Sequence, residues 1–246
     1  MRYKGKHVCI TGGAGGLGMA MAREFAREGA DVTLVDRSVT AEVEAEIRAL
    51  GLRIVHVDVV DPTAVQASLR ELPPIDVAVA NAGVHRGAAF LATSVEDWRL
   101  QLDVNLTGVF VFCQAAARLM VERGVGGAIL ITGSWVQDVP SVDSAGYCSS
   151  KAGAAMLGRC MALELGEHGI RVNLVAPGIV DAGMAKRQIQ VDPAFAKKAT
   201  GSIPLGRLQT AEQVAKAAAF LCSNDAESTT GTTLLVDGGC SLFKYS

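Results

Sequence analysis

His7-Val8-Cys9-Ile10-Thr11-Gly12-Gly13-Ala14-Gly15-Gly16-Leu17-Gly18 is the stretch that decides the fold. Its first half is mostly apolar and β-branched, as in a strand buried on both faces. Its second half is a glycine string, and a helical pattern runs on through residues 17–28 with charges kept to one side. Glycine serves two purposes at such a junction. It lets the chain leave a strand through a tight turn, and it lets bare backbone come close to a bound group.

The same alternation continues to the other end of the chain. Short apolar runs at 31–35, 53–57, 76–80, 128–132, 171–176 and 232–236 read as further strands. Helical spacing fills 42–50, 62–72, 98–123, 153–167 and 211–221. Strands alternating with helices predict an α/β fold: a Rossmann-like doubly wound domain, with a seven-stranded parallel sheet and helices on both faces. No linker, charge block, repeat or low-complexity segment divides residues 1–246, which read as a single domain. Ligands on such sheets bind beyond the carboxyl ends of the strands, so those ends are where chemistry is expected.

Composition excludes several classes. A net charge of −2 with no basic stripe argues against nucleic acid as a partner. The apolar run after the charged residues 1–6 stops at Thr11-Gly12-Gly13, too soon for an export signal. No charge-free apolar stretch approaches the ~18 residues of a membrane span. The six cysteines lack a C-x-x-C pair and read as reduced, mostly buried thiols of a cytoplasmic protein. The four histidines are isolated, so no metal site is expected from local spacing.

The glycine string gains meaning from its position. Gly12, Gly16, Leu17 and Gly18 lie where a first helix begins, and helix N–H groups and dipole favour a pyrophosphate there. Asp36 closes the second strand. An acid there accepts bonds from ribose hydroxyls and repels a 2′-phosphate, so NAD is expected over NADP. A solvated strand-end acid is the plainer alternative. Arg37 next door could meet a 2′-phosphate, stack on adenine or point into water. Asp58, with Val59, closes the third strand and could meet the adenine edge or simply turn the chain. Asn81-Ala82-Gly83 offers small residues where the backbone would pass the adenosine, though a plain turn is also open.

The fifth strand ends in Ile131-Thr132-Gly133-Ser134, and Tyr147-x-x-x-Lys151 follows. A helix starting near Ser144 would set Tyr147 and Lys151 one turn apart on one face. An ammonium beside a phenol favours the phenolate, so the tyrosine pKa is expected to fall. Such a tyrosine serves as general acid or base. A surface pair on an amphipathic helix is the bland alternative, made less attractive by the strand-end serine and the dinucleotide pattern.

Taken with Asn105 and Asn173-x-x-x-Pro177-Gly178, these motifs resemble the short-chain dehydrogenase/reductase family over essentially the whole chain. The resemblance implies a hydride transfer between nicotinamide and a secondary alcohol or ketone. It implies Tyr147 as the proton-transfer residue and Lys151 as its modulator and holder of the nicotinamide ribose. Ser134 would bond the substrate oxygen, and Asn105 would anchor a water linking Lys151 to solvent. Pro177, Gly178 and Val180 would border the nicotinamide. Ala182 departs from the family pattern, standing where many members carry a threonine. A homotetramer or dimer is implied, with the helices at 98–123 and 153–167 packing across subunits.

The substrate side is less legible. Residues 181–206 resemble the family's variable substrate cover. Trp135 and Gln137 follow the catalytic strand end and are candidate substrate contacts, with loop packing equally open. Cys148 and Met184 could line the pocket or only fill space, and His85 reads as a solvated loop histidine. A sugar, polyol or cyclic alcohol is the favoured substrate class by family analogy. The alternatives are an NADPH-dependent 3-oxoacyl-thioester reductase and a catalytically silent NAD-sensing protein.

Overall fold

A computed structural model describes residues 1–183 and 199–242. The strands are β1 (His7–Thr11), β2 (Asp31–Asp36), β3 (Arg53–His56), β4 (Val77–Ala80), β5 (Gly127–Thr132), β6 (Ile170–Pro177) and β7 (Thr233–Val236). They form one parallel sheet in the order β3-β2-β1-β4-β5-β6-β7. The order reverses between β1 and β4, and there the crevice at the strand ends opens. The helices are α1 (Gly16–Arg27), α2 (Ala41–Ala49), α3 (Pro62–Arg70), α4 (Val95–Leu102), α5 (Gly108–Arg123), α6 (Ala145–Leu165) and α7 (Ala211–Cys222).

Strand periodicity sorts the core into two layers. Val8 and Ile10 of β1 face one way and pack with Phe25 of α1, Ile47 of α2 and Val214 of α7. Cys9 faces the other way, with Val65 of α3, Phe112 of α5 and Ala154 of α6. Helices therefore cover both faces, as the sequence pattern predicts. Local signals start several of them: Thr40 caps α2, Asp61 caps α3 with Pro62 behind it, and Thr210 and Gln213 form a capping box on α7.

One helix differs from expectation. The continuous helix expected over 98–123 is α4 and α5 joined by a π turn, Asp103–Thr107. The start expected near Ser144 and the helical spacing at 153–167 belong to one helix, α6, which begins at Ala145 and approaches α4 closely at Gly146. A Cβ on Gly146 would stand 2.7 Å from the Gln101 amide nitrogen. The rod Val95–Arg123 has an 18-residue window of mean hydropathy 1.5, and half of that window is buried inside the fold. Its apolar character thus serves the core.

Candidate active site

The glycine string forms a cradle at the carboxyl end of β1. Gly12 has φ +61°, and a Cβ on it would stand 2.7 Å from the Ala82 Cα. A Cβ on Gly18 would overlap the Gly12 carbonyl oxygen. Side chains are therefore excluded by the fold itself, which brings the turn against the Asn81-Ala82-Gly83 loop. Gly15 caps α1 without a side chain, and no acid stands in the first turn where Gly16, Leu17 and Gly18 lie. The N–H groups there remain available to an anion. The donor set fits a pyrophosphate.

Asn81 binds three strand ends together. Its amide nitrogen donates to the Thr11 and Gly12 carbonyls at 3.2 and 3.1 Å, and its oxygen accepts from the Thr132 hydroxyl at 3.1 Å. Thr11 Oγ1 in turn accepts from the Asn81 and Ala82 N–H groups. Asp36 closes β2 and accepts from the Ala14 N–H at 3.0 Å, so the glycine loop holds one of its oxygens. Arg37 and Asp58 stand together at the same edge, 3.4 Å apart, with the arginine side chain 71% exposed. The Val59 side chain is buried against Gly108 of α5.

On the other side of the crevice, β6 runs out through Pro177 to Gly178, whose N–H donates to Val236 at 3.0 Å. Val180 bridges to Gln209. Ala182 sets its methyl 3.3 Å from where a Gly16 Cβ would be, so the start of the cover lies against the glycine loop. Met184 and most of the expected cover fall outside the described residues.

Ser134, Tyr147 and Lys151 converge at the end of β5. Ser134 is buried, and its hydrogen bond with Tyr147 draws the phenol pKa down. Lys151 is buried and donates from Nζ to the Thr132 carbonyl at 2.7 Å, while lying 5.7 Å from the Tyr147 ring centroid. The expected fall in the tyrosine pKa is reversed here. Burial pushes the phenol up to about 12, outweighing the Ser134 bond. The same dry surroundings bring Lys151 down to about 8. Desolvation acts against both charged forms, and the ammonium is bonded to a carbonyl.

Asn105 sits fully buried in the π turn. Its oxygen accepts from the Val84 N–H at 2.8 Å, and its nitrogen donates to the Val84 carbonyl at 2.9 Å and Ser150 Oγ at 3.0 Å. A Cβ on Gly83 would stand 3.3 Å from Asn105 Oδ1 and 3.7 Å from Lys151 Nζ, so this asparagine is within one small residue of the lysine. Gln137 has a structural task. It is buried, its oxygen accepts from the Ser134 N–H, and its nitrogen donates to Asp138 and Thr233. Trp135 is half-buried in the same single turn, and Cys148 is half-buried beside Tyr147.

Three comparisons with known proteins bear on the family and the fold. Residues 12–241 match a family model described as enoyl-(acyl carrier protein) reductase. The chain is 37% identical to 3beta-hydroxysteroid dehydrogenase 1 of Eggerthella lenta, over 98% of this chain and 95% of that protein. It resembles the crystal structure of a short-chain type dehydrogenase/reductase from Mycobacterium marinum with a TM-score of 0.89 at 34% identity, covering 98% and 97% of the two chains. The chain belongs to the short-chain dehydrogenase/reductase family. It is an oxidoreductase of that family, whose members use a nicotinamide cofactor. A further structural relative is a gluconate 5-dehydrogenase from Burkholderia cenocepacia J2315, in complex with NADP and tartrate. It has a TM-score of 0.91 at 32% identity, covering 99% of this chain and 98% of that one.

This short-chain oxidoreductase also has site residues that its sequence did not signal. Thr132 enters through its backbone carbonyl and Ser150 through its hydroxyl, which donates to the Tyr147 carbonyl at 2.8 Å. His85 stands edge-on to Tyr147, with ring centroids 5.1 Å apart and planes at 71°. Only its place two residues beyond Gly83 could have hinted at this.

Proposed function

We propose that the protein is an NAD-dependent dehydrogenase of secondary alcohols, with sugars, polyols and cyclic alcohols as its substrate class. The observation that carries the reading is the convergence of Tyr147, Ser134 and Lys151 at one strand end. Ser134 would hold the substrate oxygen while the Tyr147 phenolate takes its hydroxyl proton. As that proton leaves, the C–O bond becomes a carbonyl and the carbon-bound hydrogen departs with its electron pair. When bound, NAD supplies the acceptor for that hydride. Lys151 would hold the nicotinamide ribose, and its charge beside the phenol would act against the burial that raises the phenol pKa. Asn105, close to Lys151 behind Gly83, would anchor the water leading to solvent. The named relatives act on a steroid hydroxyl and a sugar acid, which supports alcohols as the class.

NAD is preferred because Asp36 is held by Ala14 at the end of β2, where a carboxylate meets ribose hydroxyls and repels a 2′-phosphate. Gly12, Gly16, Leu17, Gly18 and the Asn81–Gly83 loop would surround the rest of the dinucleotide. Arg37, Asp58 and Val59 would border the adenine, and Pro177, Gly178 and Val180 the nicotinamide. Two observations favour NADPH and a reductive role instead: Arg37 is largely exposed at the same edge, and the gluconate 5-dehydrogenase holds NADP. Residues 1–246 would act as one domain, with 181–206 as the substrate cover. Six unpaired cysteines, four of them buried, support a reducing cytoplasm. A homotetramer or dimer would form through α5 and α6.

The test is Tyr147→Phe. Absorbance of reduced nicotinamide should show turnover fall about 10²–10⁴-fold while NAD binding persists. Retained turnover would sink the assignment.

A further inference from the structure

His85 is an exposed histidine held with unusual firmness for a loop residue. The residue before it, Val84, is clamped at both its N–H and its carbonyl by the buried Asn105. The residue after it, Arg86, donates its N–H to the buried Gln101 side chain at 3.0 Å. Further on, the Ala88 N–H bonds the Asp143 carbonyl at 3.0 Å, which ties this loop to the segment entering α6. Asp143 is the one non-glycine residue with positive φ among the described residues, at +56°. Two buried amides and a strained turn thus fix where the imidazole goes, and it goes against Tyr147.

The hydrogen bonds also decide which ring nitrogen carries the proton. His85 Nε2 lies 3.2 Å from Ser144 Oγ. Ser144 has a single hydroxyl proton and donates it to the Val142 carbonyl at 3.1 Å. Its oxygen is therefore left to accept, so Nε2 carries the hydrogen. The Nδ1 of the neutral ring is then a bare acceptor with no partner among the described residues. Partial desolvation of the ring where it packs on Tyr147 lowers the imidazole pKa from 6.5, which keeps the ring neutral near pH 7.

A free acceptor on a ring packed against the proton-transfer tyrosine can recognise a donor on the substrate. On an alcohol whose carbinol oxygen is held by Tyr147 and Ser134, the nearest further donor is a hydroxyl on the neighbouring carbon. We propose that His85 Nδ1 accepts a hydrogen bond from that second hydroxyl, so that His85 selects vicinal diols over simple secondary alcohols. The inference rests on the dehydrogenase reading above.

The test compares cyclohexane-1,2-diol with cyclohexanol, using NAD and the full chain. The wild-type protein should favour the diol in kcat/KM. In His85→Phe, which keeps an aromatic edge on Tyr147 but no acceptor, the diol-to-alcohol ratio should fall about tenfold, the order expected for one lost hydrogen bond, with the change mainly in KM. His85→Gln, which restores an acceptor, should recover part of the ratio. A wild-type protein without diol preference, a ratio unmoved in His85→Phe, or an equal fall for both substrates would overturn the assignment of His85 while leaving the dehydrogenase reading intact. Turnover of neither substrate by wild type would overturn the dehydrogenase reading and this inference together.

Discussion

Tyr147 and Lys151 share one face of α6, yet each is bonded to a different group at the end of β5. The phenol meets Ser134, and the ammonium meets the Thr132 carbonyl. Their spacing is legible in the sequence, but the balance of burial against charge is not, and burial wins. Asp36 gives the sharpest prediction at this scale. On the proposed NAD reading, Asp36→Ala would remove an acceptor for the ribose hydroxyls and the charge that repels a 2′-phosphate. NAD affinity should fall about tenfold relative to NADP, measured by fluorescence titration of each cofactor. An unchanged ratio would pass the ribose-reading role to another group. Gln137 shows the opposite case. Its position left substrate contact and loop packing equally open, and the fold gives its amide to Ser134, Asp138 and Thr233.

Among the elements, the π turn Asp103–Thr107 is the one that periodicity could not reveal. An apolar stretch reads as helix whether or not one extra residue is inserted, and the insertion turns Asn105 inward. The amino end of β1 carries a different device. His7 is buried, with Nδ1 3.0 Å from the Pro73 carbonyl and Nε2 2.8 Å from Thr33 Oγ1. A carbonyl only accepts, so Nδ1 carries the hydrogen and Nε2 accepts from the threonine. Burial lowers the folded-state pKa below the ordinary 6.5. The unfolded chain then binds the proton more readily, so the stabilising contribution is complete above 6.5 and is lost as pH falls through the folded value. Wild type should lose Tm faster than His7→Gln between about pH 7.5 and 5; parallel curves would show that His7 does not couple to folding.

On the scale of the whole molecule, α5 and α6 leave an outward face with large apolar residues. Phe110 is 44% exposed, Met156 55% and Leu163 86%. Exposed apolar surface of this kind marks association sites. In the proposed oligomer, Leu163→Glu should shift light scattering towards the monomer mass, and an unaltered mass would move the interface elsewhere. By itself the sequence determined the α/β alternation, the strand locations, the glycine cradle and the Tyr147–Lys151 pair, because each is a local pattern. A strand buried on both faces needs a continuous apolar run, a tight strand-to-helix turn needs glycine, and helical spacing sets which residues share a face. The tertiary structure alone decided what meets across the chain: Asn105 clamping Val84, Thr132 receiving Lys151, and His85 turned onto Tyr147. Those contacts join residues far apart in sequence, so no local period records them. They exist because parallel strands bring all their carboxyl ends, and the loops that follow, to one edge of the sheet.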